Sequence, residues 1–165
     1  MIITVINVTM QDPDCKYFNN WEDARNLNLG YLWFEKSSKI GYSQAKRFCE
    51  AQKSNLIEIE TREQMNYIVG KLSSFGLGGK GWWGGATDTQ SEGTWIWPES
   101  GKQVQSFVWG RASFACGDWP FCRCKEPNSC GADEDYFSFI RVKGYKGGDV
   151  SSDLRLYPLC QQKRY

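Results

Sequence analysis

Trp83-Gly84-Gly85-Ala86-Thr87-Asp88, followed by Glu92-Gly93-Thr94-Trp95-Ile96-Trp97, is the stretch on which the fold turns. Bulky rings suit a pleated surface, and an acidic turn with glycine suits the reversal between two strands, so the run predicts short aromatic strands. Just before it, the glycines from Gly76 to Gly81 end a helix. The start of that helix is marked by Thr61 and Gln64, a capping box ahead of Met65, Ile68, Val69 and Leu72 at helical spacing. Leu56-Ile57-Glu58-Ile59-Glu60 alternates as a strand. Further back, Ala45, Phe48 and Cys49 share a helical face behind Ser43 as N-cap, which predicts a first helix over 43–52, and Tyr31–Phe34 reads as a strand. Strands are also expected at Tyr136–Val142 and Leu154–Gln161. Two helices followed by strands make an α+β domain. It spans 30–165, preceded by an irregular N-terminal extension over 1–29 that is a candidate oligomerisation segment.

Composition narrows the function. The 165 residues suit one domain, and the net charge of +1 without long runs of one sign offers neither a nucleic-acid footprint nor a polybasic membrane patch. There is no histidine, which removes Ser-His-Asp, Cys-His and His-zinc chemistry together. Carboxylate-pair glycoside hydrolysis survives that exclusion, but no acid pair sits in an evident cleft motif. Seven cysteines beside eight tryptophans predict a secreted, extracellular domain stapled by disulfides. No stretch reaches the ~20 apolar residues of a membrane span. The opening lacks a charged n-region and a cleavage site and reads as mature chain after signal removal. Asn7-Val8-Thr9 is a glycosylation sequon.

Trp83–Asp88, Glu92–Trp97, Trp109, Glu126-Pro127-Asn128, Glu134-Asp135 and a cysteine-bearing terminal strand occur in this order. That order resembles the C-type lectin family, over about residues 30 to 163. The resemblance implies a C-type lectin-like fold, with two helices packed on two small antiparallel sheets and long loops for calcium and sugar. It also implies recognition without catalysis, by a secreted single-domain lectin of the invertebrate kind acting in innate immunity.

The chemistry of the Glu-Pro-Asn loop can be argued from its residues. Calcium takes six to eight oxygens, and Glu126, Asn128 and Glu134 supply a hard, partly charged set within nine residues. Two neighbouring hydroxyls of a sugar can donate to Glu126 and accept from Asn128 while also ligating the ion. By resemblance the Glu-then-Asn order goes with mannose, N-acetylglucosamine and fucose. Asp153 and Ser152 then complete the calcium set, and Asp88, Glu92 and Asp135 form a second calcium site. Seen alone, Asp88 and Glu92 read more often as a solvated turn than as a metal site. Trp82, Trp83, Trp95, Trp97 and Trp109 read as core.

Three departures from the family stand out. Ser151-Ser152-Asp153 replaces the Trp-Asn-Asp of the family, which weakens calcium toward the ~10⁻⁴ to 10⁻³ M range of extracellular modules. The second family disulfide is missing, its expected positions holding Tyr136 and Leu156, where an aromatic-aliphatic contact would stand in for the bridge. A cysteine-rich insertion over 110–125 carries Cys116, Cys122 and Cys124, which with Cys130 are expected to pair locally. A zinc site in these cysteines lacks Cys-x-x-Cys spacing. In the insertion Trp119 and Phe121 offer a stacking face for sugar. By resemblance Cys49 joins Cys160, and the odd Cys15 is left to link two chains in a homodimer. The alternative to calcium-dependent sugar binding is a calcium-independent member of the same fold that binds protein, mineral or ice, or sugar through another site.

Overall fold

A computed structural model of the chain describes residues 20–77, 81–110, 127, 133–141 and 144–163. Strand β1 (Trp21–Asp23) pairs antiparallel with β2 (Tyr31–Phe34), so regular structure starts ahead of the Gly30 boundary read from the sequence. Ala24 and Leu29, between the two strands, are fully buried, which anchors this segment to the domain. Spaced five apart among polar residues, they leave no period to read.

Helix α1 spans Tyr42–Ala51, one residue earlier than its sequence pattern suggests. Gly41, not Ser43, is its N-cap, and the Gly41 N–H donates to the Gln44 side-chain oxygen at 3.3 Å. Ser43 is exposed inside the first turn, because burying Tyr42, Ala45 and Cys49 on one face takes Tyr42 into the helix. Strand β3 is only Asn55–Leu56, and Ile57 to Ile59 are all buried rather than alternating. Glu58 is packed inside because its carboxylate finds partners there, which polarity alternation cannot foresee.

Helix α2 (Arg62–Ser74) starts on the capping box its sequence announces, Thr61 Oγ1 accepting from the Gln64 N–H at 3.1 Å. It buries Met65, Ile68 and Leu72. Strands β4 (Gly81–Thr87), β5 (Ile96–Trp97), β6 (Lys102–Gln103), β7 (Tyr136–Ile140), β8 (Lys146–Val150) and β9 (Tyr157–Gln162) follow. The strand order is β1-β2-β9-β4-β5-β6, with β3 on β9 and the β7–β8 hairpin on β4. β4 is buried along its whole length and runs parallel to β9, the one parallel pairing among these ladders.

Two clusters make the core. The larger packs α2 against Trp82, Trp97, Phe137 and Phe139; the smaller packs α1 against Trp83, Leu156 and the Cys49–Cys160 disulfide. Tyr136 and Leu156 both belong to the smaller cluster, with the Tyr42 and Tyr136 rings 4.3 Å apart. Apolar contact thus occupies the ground where the family's second bridge was expected. Trp82, Trp83, Trp95 and Trp97 are each less than 5% exposed, and the half-buried Trp109 lies on Trp95 and Phe137. All five are core.

Candidate functional site at the roots of the 111–132 segment

The site is set by where β4 ends and where β8 begins. Thr87 pairs with both Ile96 of β5 and Tyr136 of β7, and the chain turns at the next residue, Asp88. Asp88 is 3% exposed. Its N–H donates to the Asp135 carbonyl at 3.3 Å, and its Oδ2 accepts from the Gly93 N–H at 2.8 Å. Its Oδ1 is buried with no donor.

Burial raises the Asp88 pKa above the usual carboxylate value, and the charges of Glu92 and Asp135 push it the same way against the bond from Gly93. Asp135 is also raised, first by desolvation and then by Glu92 and Asp133. Negative charges therefore converge around an enclosed oxygen to which nothing donates among the described residues. Such an oxygen is costly unless a cation or a proton answers it. Of the set expected from the sequence, Glu92 and Asp135 are near enough to Asp88 for their charges to act on it.

At the other root, Trp109 bridges to Gly147 and the Gly110 N–H donates to the Gly147 carbonyl at 2.7 Å. Glycine is required at 147, because a Cβ there would lie 2.2 Å from the Phe137 ring. The chain thus enters the 111–132 segment beside β8 and leaves it at Glu134, just before β7. Between these two points lies Asp149, 4% exposed, opposite Phe137 in the β7–β8 register. Sequence reasoning missed this residue. It lies in Lys-Gly-Gly-Asp-Val, whose glycines give no strand signal, and only pairing with β7 makes the stretch a strand.

Glu134 is half-buried at the return of the segment. Ser152 is half-buried, but its carbonyl accepts from the Tyr42 N–H at the start of α1 at 3.2 Å. The Asp153 side chain is exposed in the same turn. Glu126, Asn128, Trp119, Phe121, Cys116, Cys122, Cys124 and Cys130 lie outside the described residues, as do Cys15 and Asn7. Pro127 is exposed. Among the described residues no group of three or more His, Cys, Asp or Glu is gathered closely enough to hold a metal ion. Among them too, no helix is long and apolar enough to cross a membrane.

The comparisons with known proteins agree with this architecture. The family described as the lectin C-type domain matches residues 38–162. The chain belongs to the C-type lectin domain family. A curated relative, the hepatic lectin of Gallus gallus, is 26% identical over 133 residues, covering 81% of this chain and 55% of the relative. A second, C-type lectin domain family 4 member F of Homo sapiens, is 29% identical over 73 residues, 44% of this chain and 12% of the relative. The chain therefore spans about half the length of the first relative and much less of the second.

Among solved structures, the mouse scavenger receptor C-type lectin carbohydrate-recognition domain matches with a TM-score of 0.63 at 22% identity, covering 89% of this chain and 98% of that one. Human lithostathine gives 0.65 at 16%, covering 88% and 98%. An SPL-1 complex with GlcNAc gives 0.67 at 19%, covering 92% and 98%. These likenesses show the C-type lectin-like fold. Nothing in the comparisons supports a dimer linked through Cys15.

Proposed function

We propose that the chain is a secreted lectin that binds mannose-, N-acetylglucosamine- or fucose-type sugars through calcium held by Glu126, Asn128 and Glu134. One observation carries this reading: of two buried carboxylates, Asp88 stands at the return of the 111–132 segment and Asp149 between its entry and its return, and that segment includes Glu126 and Asn128. The donor-free Oδ1 of Asp88 fits a hard cation, as does the acidic surround of Glu92, Asp133 and Asp135. For a second calcium, Glu92 and Asp135 would have to close in on Asp88, since these carboxylates are not gathered tightly enough as they stand. Calcium supplies a charge that sugar hydroxyls can ligate; the chain's own part is to orient those hydroxyls.

For the remaining ligand of the first ion, the resemblance offers Ser152 and Asp153, whereas burial favours Asp149. A carboxylate 4% exposed beside the segment is fixed in place, while the exposed Asp153 must lose side-chain freedom to reach it. The similarity to an SPL-1 complex with GlcNAc supports the sugar class.

Direction of hydrogen bonding gives the test. Glu126 only accepts and Asn128 donates, which suits adjacent equatorial hydroxyls held in one orientation. The double substitution Glu126→Gln with Asn128→Asp keeps size and total charge but reverses that polarity. It is expected to weaken mannose-type ligands by roughly 1–3 kcal/mol per mispaired group and to improve galactose-type ones, read by competition binding in calcium. Unchanged affinity and preference would move recognition away from this loop.

A further inference from the structure

A groove of about 560 Å³ opens at the opposite edge of the sheet, beside the start of β1 and the end of β2. Its size lies in the ~300–1,000 Å³ range of ligand pockets. Trp21 and Trp33 face each other across the β1–β2 register and stand edge to face, 5.6 Å between ring centroids. Trp33 is braced from behind by Phe48 at 5.4 Å. Unlike Trp82, Trp83, Trp95 and Trp97, both are only half-buried. The indole N–H of Trp83 donates to the Ile40 carbonyl at 2.7 Å, whereas those of Trp21 and Trp33 make no bond among the described residues.

The groove also holds an acceptor and a cation. Glu35 is 9% exposed, and Ser37 donates twice, from its N–H at 2.7 Å and from its hydroxyl, both to Oε1. Glu35 lines the groove, and among the described residues no donor to its Oε2 is seen. Lys36 Nζ sits 4.1 Å over the Phe75 ring, which fixes a donor on the far wall. Glu22, also in the wall, is engaged by Tyr67 and Lys71 and braces it.

We infer that this groove is a second saccharide site, independent of calcium, that takes a pyranose ring of a glycan chain. A pyranose has an apolar C–H face for indole and hydroxyls that both donate and accept. The groove offers aromatic faces, a carboxylate, indole N–H groups and an ammonium. Glu22 and Glu35 disfavour a phosphate or sulfate. A chain with sites at both ends of one domain would grip a glycan surface at two points.

The test uses the full ¹⁵N-labelled chain in EDTA, titrated with N,N′-diacetylchitobiose and with mannobiose while the tryptophan indole N–H signals are followed. With at least one of the sugars the Trp21 and Trp33 signals are expected to move and that of Trp83 to stay. Glu35→Gln, which leaves the rest of the spectrum in place, is expected to weaken the response about ten-fold. Trp33→Phe keeps a ring against Phe48 but should weaken it as well. Neither sugar moving the two signals, or full affinity in Glu35→Gln, overturns the site. Movement that appears only after residues 1–19 are removed also overturns it, since the groove would then be held by the chain's own N-terminal segment. Failure of the Glu126 and Asn128 exchange would leave this result untouched, because no calcium is present here.

Discussion

Glu58 and Asp88 are both carboxylates 3% exposed, in two regions of one domain, and their surroundings are opposite. Glu58 Oε1 accepts from the Glu99 and Ser100 N–H groups at 3.0 and 3.1 Å, and Oε2 pairs with Lys163 at 3.4 Å. Its own N–H donates to the Gln161 side chain at 3.0 Å. Among the described residues Asp88 has one donor to its carboxylate, one enclosed oxygen without any, and acidic neighbours. A buried charge with all its partners is part of the scaffold. One that lacks them among the described residues, surrounded by its own sign, is a place that a cation would stabilise.

The scaffold region should give the largest effects. Cys49–Cys160 spans 111 residues of sequence next to the Glu58 region, Leu56 pairing with Cys160. Replacing both cysteines by alanine should cost about 4–5 kcal/mol by loop closure, seen in urea unfolding. A loss under 1 kcal/mol would mean that packing alone holds this half.

Glu58→Ala should cost about 3 kcal/mol by stranding two N–H donors and Lys163, and the loss should be the same with or without calcium. A calcium-sensitive loss would erase the contrast between the regions.

Asp88→Asn should behave in the opposite way. Removing a charge whose pKa burial already raises should leave the stability of the metal-free protein within about 1 kcal/mol of the parent, or increase it. Any rise in melting temperature on adding calcium should shrink. Strong destabilisation without calcium would show that Asp88 belongs to the scaffold after all.

The same contrast explains what the sequence could tell. Features governed by local chemistry were legible: the Thr61–Gln64 capping box, the helix periods, and the aromatic strands around Trp83 and Trp97. What depended on tertiary pairing was not. Ala24 and Leu29 carry no period, Glu58 reads as an outward strand position, and Lys146–Val150 becomes a strand only against β7. Asp149 went unseen for that reason. The Trp21–Trp33 groove required knowing that β1 exists and pairs with β2.

The proposed function is to hold sugar through calcium at the roots of the 111–132 segment. Its most direct test is the affinity of the full chain for a mannose-type ligand, measured by calorimetry in calcium and again in EDTA, for the parent and for Asp149→Asn. The account predicts at least a ten-fold loss in EDTA for the parent, and affinity in Asp149→Asn already close to that EDTA value. Equal affinity of the parent in calcium and in EDTA would contradict it.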